Sequence, residues 1–261
     1  MRRARFPLWW CVFAAATTGG RAQAPDAPRD GDAPAARVLV VQNLAPFARK
    51  EGVAVVVPFA PGVAADTPSL AVDDKKTVWQ PFGARWPDGS WRQALCLFTV
   101  EMPALSERQL PLLGSFDGVL AEEPIAMPPA QVTFVVRQGD RTVRAEPVRV
   151  RDLESNAMRR VELRRARVGD TGLVAELVVT AWRDQRHADV ALAVFCSDPT
   201  LAAMQCDVGE LAVECRGMAL VLRHPGYLGI QQTTTADGSR NVLLRGRPIA
   251  DGQGLRRVGV L

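Results

Sequence analysis

Four side chains in one octapeptide are spaced for ligand chemistry. In Arg85-Trp86-Pro87-Asp88-Gly89-Ser90-Trp91-Arg92 each tryptophan has an arginine as its neighbour. An indole presents a flat apolar face to a sugar ring, and a guanidinium presents a planar fork of donors to a carboxylate. Arg85, Trp86, Trp91 and Arg92 are therefore a candidate carbohydrate-binding platform. The same residues also fit a purely architectural role. Trp86 is pushed to an extended conformation by the proline after it, and Pro87 presets the first corner of a turn. Asp88 can accept from the backbone two residues on, and Gly89 supplies the permissive position. A hairpin built this way pairs its aromatic and cationic residues across the strands, with no ligand required.

The second candidate is His224-Pro225-Gly226-Tyr227, where a histidine stands beside the only tyrosine of the chain. Elimination at a uronate needs a base for the proton next to the carboxylate and a positive group to hold that carboxylate. His224 and Tyr227 are the weak catalytic candidates, and a turn with a capping histidine explains them as well. Asp73-Asp74 and Glu122-Glu123 are adjacent acids in turn-like sequence, and adjacency does not set the separation that glycosidase carboxylates need. There is no Gly-x-Ser-x-Gly, no Cys-x-x-Cys and no cofactor-binding motif, and His187 and His224 fall in separate segments. No metal site and no cofactor are expected, and no catalytic constellation identifies an enzyme.

Those residues sit in a chain of 261 residues, long enough for one large β domain or two small ones. Its first 24 residues follow the secretory pattern: Arg2-Arg3-Ala4-Arg5, an apolar stretch from Phe6 to Ala16, then small residues to Ala24. Cleavage after Ala24 would leave Pro25 first, so the cut is equally placed after Ala22 or within Ala14-Ala15-Ala16. An exported protein is expected, periplasmic or extracellular, with an uncleaved leader acting as a membrane anchor as the alternative. The formal charge is +4, and the leader removes Arg2, Arg3, Arg5 and Arg21 without removing an acid, which brings it to zero. The basic pI is therefore no argument for a nucleic-acid partner. Of the cysteines beyond the leader, Cys96 reads as a buried thiol, while a disulfide joining Cys196 to Cys206 or Cys215 fits an oxidising compartment.

Residues 25–36 are Pro, Ala, Asp and Arg with little bulk, a disordered linker. From residue 37 to 261 short apolar segments recur at turn spacings. They predict an all-β protein, an antiparallel barrel or sandwich of many short strands. Thr77–Trp86 and Trp91–Glu101 form the central hairpin, with the second strand covered on both faces. Pro- and Glu-rich residues 117–130 read as a connection between two β subdomains. Val132–Gln138 and Thr142–Val150 pair around Gly139-Asp140, with a bulge or edge near Pro147. Leu153–Leu163 is the one stretch with helical character. Arg159, Arg160, Arg164, Arg165 and Arg167 suit a basic groove for an acidic polymer, or a solvated outer face neutralised by Asp152, Glu154 and Glu162. Leu173–Trp182 pairs with His187–Cys196, and Val208–Cys215 with Met218–His224. The last apolar residues, Val258 to Leu261, suggest a remnant of something longer.

Two motifs carry a family resemblance. Val57-Pro58-Phe59-Ala60-Pro61-Gly62, followed by Ala84-Arg85-Trp86-Pro87-Asp88-Gly89-Ser90-Trp91-Arg92, resembles the N-terminal β domain of the exo-rhamnogalacturonan lyase and YetA-like family, a RIFT barrel. Gly172-Leu173-Val174-Ala175-Glu176 and Arg186-His187-Ala188-Asp189-Val190 match its paired strands loosely. The resemblance implies a RIFT-barrel-like fold and a polysaccharide partner. It implies no activity, because the helical toroid that follows this domain in the family has no counterpart here.

Overall fold

The computed structural model describes residues 38–62, 70–72, 77–115, 124–196, 206–222, 231–249 and 254–261. The leader, the linker, His224 and Tyr227 lie outside the described residues. Every regular element described is a β-strand. All strand pairings are antiparallel, and the sheets are open, with no closed barrel among the described residues. The chain divides into two compact units, Met1–Glu122 and Glu123–Leu261.

In the first unit, β1 (Val38–Asn43), β6 (Ser106–Ser115) and β3 (Leu70–Val72) form one sheet in the order β1-β6-β3. The other sheet has β5 (Gln93–Met102) between β2 (Arg49–Pro58) and β4 (Val78–Pro81). Alternation in β5 sends Ala94, Cys96, Phe98, Val100 and Met102 into the core, where each is at most 1% exposed. Its other face is only partly covered: Leu97 is buried, Leu95 and Thr99 are half-buried and Glu101 is exposed. Trp79 joins the core against Phe59, ring centroids 6.0 Å apart. Burial raises the Cys96 thiol far above its ordinary pKa, which fits an inert packing residue.

The second unit contains two larger sheets. Five strands run β15 (Gln231–Thr235), β16 (Gly238–Ile249), β13 (Cys206–Arg216), β7 (Gln131–Gln138), β8 (Arg141–Ala145). Six run β14 (Val221–Leu222), β17 (Gly254–Val260), β12 (Ala188–Cys196), β11 (Leu173–Trp182), β10 (Arg159–Arg167), β9 (Val148–Ser155). Phe134, Leu211 and Leu243 from the first sheet meet Leu177, Leu192 and Val194 from the second in one apolar cluster. β7 and β8 close on Gly139-Asp140 as expected, with Gln138 opposite Arg141 and Gly139 at φ +54°.

Several local expectations are overturned. Leu153–Leu163 is not helical: it holds the end of β9, a turn and the start of β10. Its apolar residues follow no helical stripe deep enough to outweigh ladder pairing. β8 and β9 are not one strand. The chain leaves the five-stranded sheet at Glu146-Pro147, where a missing N–H favours a break, and enters the six-stranded one. β13 does not pair with the segment after it but with β16 and β7, while β14 pairs with β17. No disulfide forms at Cys196 or Cys215: both are buried free thiols, inside the apolar cluster. Burial pushes Cys215 up to about 11.

The arginines of β10 divide between two faces. Glu162 lies opposite Val179, and Arg164 opposite Leu177, so both share the face that β11 turns to the core. Glu162 is 4% exposed and takes Arg160 at 2.9 Å and Arg164 at 3.0 Å. Asp152 accompanies it from β9, 3.6 Å from Arg160. The expected neutralising acids are therefore present, but this part of the run faces inward rather than lying on a solvated outer face. The apolar interior stops at β10, and the exposed edge strand β9 is bulged twice against it. Inward charge and bulges are established devices against edge-to-edge association.

Candidate functional site

The two motifs singled out in the sequence are one structure. Gly89 N–H donates to the Trp86 carbonyl at 2.9 Å, and Trp86 N–H donates to the Ser90 carbonyl at 2.7 Å. With Gly89 at φ +85°, this is a three-residue hairpin loop ending on a left-handed glycine. The Asp88 carboxylate accepts from Ser90 N–H at 2.9 Å and from its hydroxyl at 2.6 Å. Those bonds hold the Asp88 pKa below its ordinary value. Their support is present above about pH 4 and is lost as pH falls through the lowered folded pKa.

Ser90 is 3% exposed, and its hydroxyl accepts from Gly62 N–H at 2.9 Å. Trp86 donates its indole N–H to the Phe59 carbonyl at 2.9 Å, and Phe59 N–H donates to the Arg92 carbonyl at 2.8 Å. Residues 59–62 and 86–92 thus clamp each other across the end of the β2–β5–β4 sheet. The other Asp-Gly-Ser, at 237–239, differs in kind. A Cβ on Gly238 would collide with the Cys215 carbonyl, whereas a Cβ on Gly89 would meet nothing within 4 Å. Gly89→Ala is therefore expected to lose only conformational energy, about 1–2 kcal/mol, readable as a shifted urea midpoint with normal near-ultraviolet dichroism.

All four predicted platform residues come together. Arg85 forms a β-bridge with Trp91, and its guanidinium lies 4.0 Å from the Trp91 ring centroid. Arg92 stacks in the same way on Trp86 at 4.5 Å. Arg85 and Trp91 are directly opposite each other, whereas Arg92 reaches diagonally to Trp86, and alternation along the arms puts the two stacks on opposite faces of the hairpin. Arg85 also donates to the Gly89 carbonyl at 2.5 Å. The tryptophans are half-buried, and Trp91 packs on the first unit's core. One face of each indole is thus taken by a guanidinium. What the hairpin offers to solvent is the pair of exposed arginines. Among the described residues neither has a carboxylate partner.

Phe59 and Ser90 were not singled out as individual partners in the sequence, although both lie in the motifs. Their role depends on a contact between segments about 30 residues apart, for which no local pattern exists. Among the described residues, no group of three or more His, Cys, Asp or Glu is placed to hold a metal ion. No helix described is long and apolar enough to cross a membrane.

No family model and no curated protein matches the chain. Among solved structures it is similar to an alpha-mannosidase from Enterococcus faecalis V583, with a TM-score of 0.42 and 11% identity. The match covers 86% of this chain but only 43% of the mannosidase, so the chain spans less than half of that protein. A likeness this distant carries no argument about what the chain does.

Proposed function

We propose that this is an exported, non-catalytic β protein that binds acidic polysaccharide through the hairpin at residues 85–92. In this reading it is akin to the N-terminal RIFT-barrel domain of the exo-rhamnogalacturonan lyase and YetA-like family. The observation that carries the proposal is the exposed pair Arg85 and Arg92, each stacked on a tryptophan and neither ion-paired among the described residues. Stacking holds a guanidinium flat and, apart from the Arg85 bond to the Gly89 carbonyl, leaves its edge donors available, so less side-chain freedom is lost when a carboxylate docks. The rigid turn beneath supplies the preorganisation. The motif resemblance adds the carbohydrate setting, and the N-terminal leader adds export.

The test is calorimetric titration of the purified protein with polygalacturonate and with a neutral polysaccharide. Binding to the acidic polymer alone is expected, weakened by salt. Arg85→Gln and Arg92→Gln should each reduce affinity about tenfold, the value of one modest charge-assisted contact. Equal binding to both polymers, or unchanged binding by the two variants, rejects the site. Appearance of unsaturated-uronate absorbance would replace the non-catalytic reading with a lyase. No binding to either polymer would favour a protein-interaction module. Recovery of the protein from periplasm or medium with a shortened N-terminus checks export.

A further inference from the structure

The outer face of the five-stranded sheet carries more guanidinium than carboxylate. Val136, Leu211 and Val213 point into the apolar cluster, so alternation turns Arg137, Glu210, Glu214 and Arg216 away from it. Arg144 from β8 and Arg240 and Arg245 from β16 join them there. Arg144 and Arg240 meet Glu214 at 2.6 and 3.4 Å, and Arg240 and Arg245 meet Glu210 at 2.5 and 3.1 Å. Both carboxylates are thus shared between arginines. Arg144 and Arg245 each commit one guanidinium nitrogen to them, and their side chains stay 55% and 53% exposed. Arg137 and Arg216 are exposed and have no acidic partner among the described residues. Glu146, just past β8, is bonded to Gln131 rather than to an arginine.

This charge is spread too far for one small anion. Arg137 stands opposite Glu210, and from Glu210 to Arg216 along β13 is roughly 20 Å at about 3.4 Å per residue. A polymer that bears a negative charge on each repeat can meet both ends. Uncharged hydrogen-bonding side chains stand across the strands from the charged ones: Thr142 opposite Arg137, Thr133 opposite Glu214 and Thr233 opposite Arg240. They suit sugar hydroxyls. No aromatic side chain lies on the described part of this face to stack on a nucleic-acid base. Its apolar strip, Val135, Ala212 and Val242, is buried and offers nothing to insert into a membrane.

We propose that this face is a second binding site for acidic polysaccharide, crossed by a polymer whose carboxylates engage Arg137, Arg216 and the open nitrogens of Arg144 and Arg245. It takes its ligand class from the reading given for the hairpin at residues 85–92, and shares none of the hairpin's residues. Glu210 and Glu214 hold the paired guanidiniums in place, so less side-chain freedom is lost when the polymer docks.

Calorimetric titration with polygalacturonate tests this in the full chain carrying Arg85→Gln and Arg92→Gln, which removes the hairpin's contribution. Salt-sensitive binding is expected to persist in that background. Adding Arg137→Gln and Arg216→Gln, at exposed positions without acidic partners, should raise the dissociation constant at least tenfold. Arg141→Gln removes the same kind of charge from a residue paired with Asp170 and lying off this face, and should leave binding unchanged. Circular dichroism confirms that each variant folds. If the wild type binds the polymer and the hairpin variant does not, the hairpin is the whole site and this proposal alone fails. If the wild type does not bind, the polysaccharide reading fails with it. Binding insensitive to the Arg137 and Arg216 changes, or equally sensitive to Arg141→Gln, overturns the site. Equal affinity for phosphatidylserine vesicles or duplex DNA at the same ionic strength overturns the choice of ligand.

Discussion

Glu162→Ala is expected to lower the free energy of unfolding by about 2–3 kcal/mol, measured as a reduced urea midpoint at constant slope. Glu162 is the only buried carboxylate among the described side chains, and it neutralises Arg160 and Arg164 on the core side of the sheet. Removing it leaves Arg164 without its carboxylate and Arg160 with only Asp152, 3.6 Å away. Full burial of an unpaired charge would cost more. Here the arginine side chains keep 20% exposure and can turn toward water, so the loss falls below the roughly 3–5 kcal/mol of a fully buried broken pair. Glu162→Gln keeps the volume and one accepting oxygen, and should lose clearly less than the alanine variant. If both variants are neutral, the cluster contributes nothing and the edge is held by β9 pairing alone.

Asn43→Ala should cost about 2 kcal/mol, seen as a melting temperature lowered by about 4–8 °C. Asn43 is 2% exposed at the end of β1. Its amide nitrogen donates to the carbonyls of Phe47 at 3.0 Å and Pro103 at 2.6 Å, and its oxygen accepts from Ala45 N–H at 3.0 Å. It therefore ties the loop after β1 to the loop between β5 and β6. In that second loop Leu105 sits at φ +47°, a strained conformation for leucine, with its N–H donating to the Ala45 carbonyl. Truncation removes the amide from the Phe47 carbonyl and the Ala45 N–H, leaves the Pro103 carbonyl to the Ser106 hydroxyl alone, and removes the tie between the two loops. Asn43→Asp should not rescue, because a carboxylate cannot donate to the two carbonyls. A melting point unchanged by alanine would mean that water replaces the amide at no cost.

The hairpin was legible because its causes are local. Proline before the corner, aspartate to accept from Ser90 and glycine at positive φ act within five residues, and the structure uses each as the sequence implied. Alternation also announced β5, β7, β11 and β12, since a strand that faces an apolar interior must repeat every second residue. The failures share one cause. Which strand β13 pairs with, and where the chain crosses from β8 to β9, are decided between segments far apart in sequence, and many pairings satisfy the same alternation. The arginines of β10 show this most clearly. Their number suited either a basic groove or a solvated outer face neutralised by acids, but registry with β11 sends Arg160 and Arg164 inward and Arg165 outward to Glu176.

By itself the sequence determined the strand character of the chain, the turn chemistry at residues 86–90 and the four residues worth testing as a platform. Only the tertiary structure decided what that platform presents. Cross-strand geometry lays Arg92 on Trp86 and Arg85 on Trp91, and the Phe59 carbonyl captures the Trp86 indole. Two tryptophans that could have offered open faces to a sugar instead carry two guanidiniums, because Trp91 lies directly across from Arg85 and Trp86 lies diagonally across from Arg92.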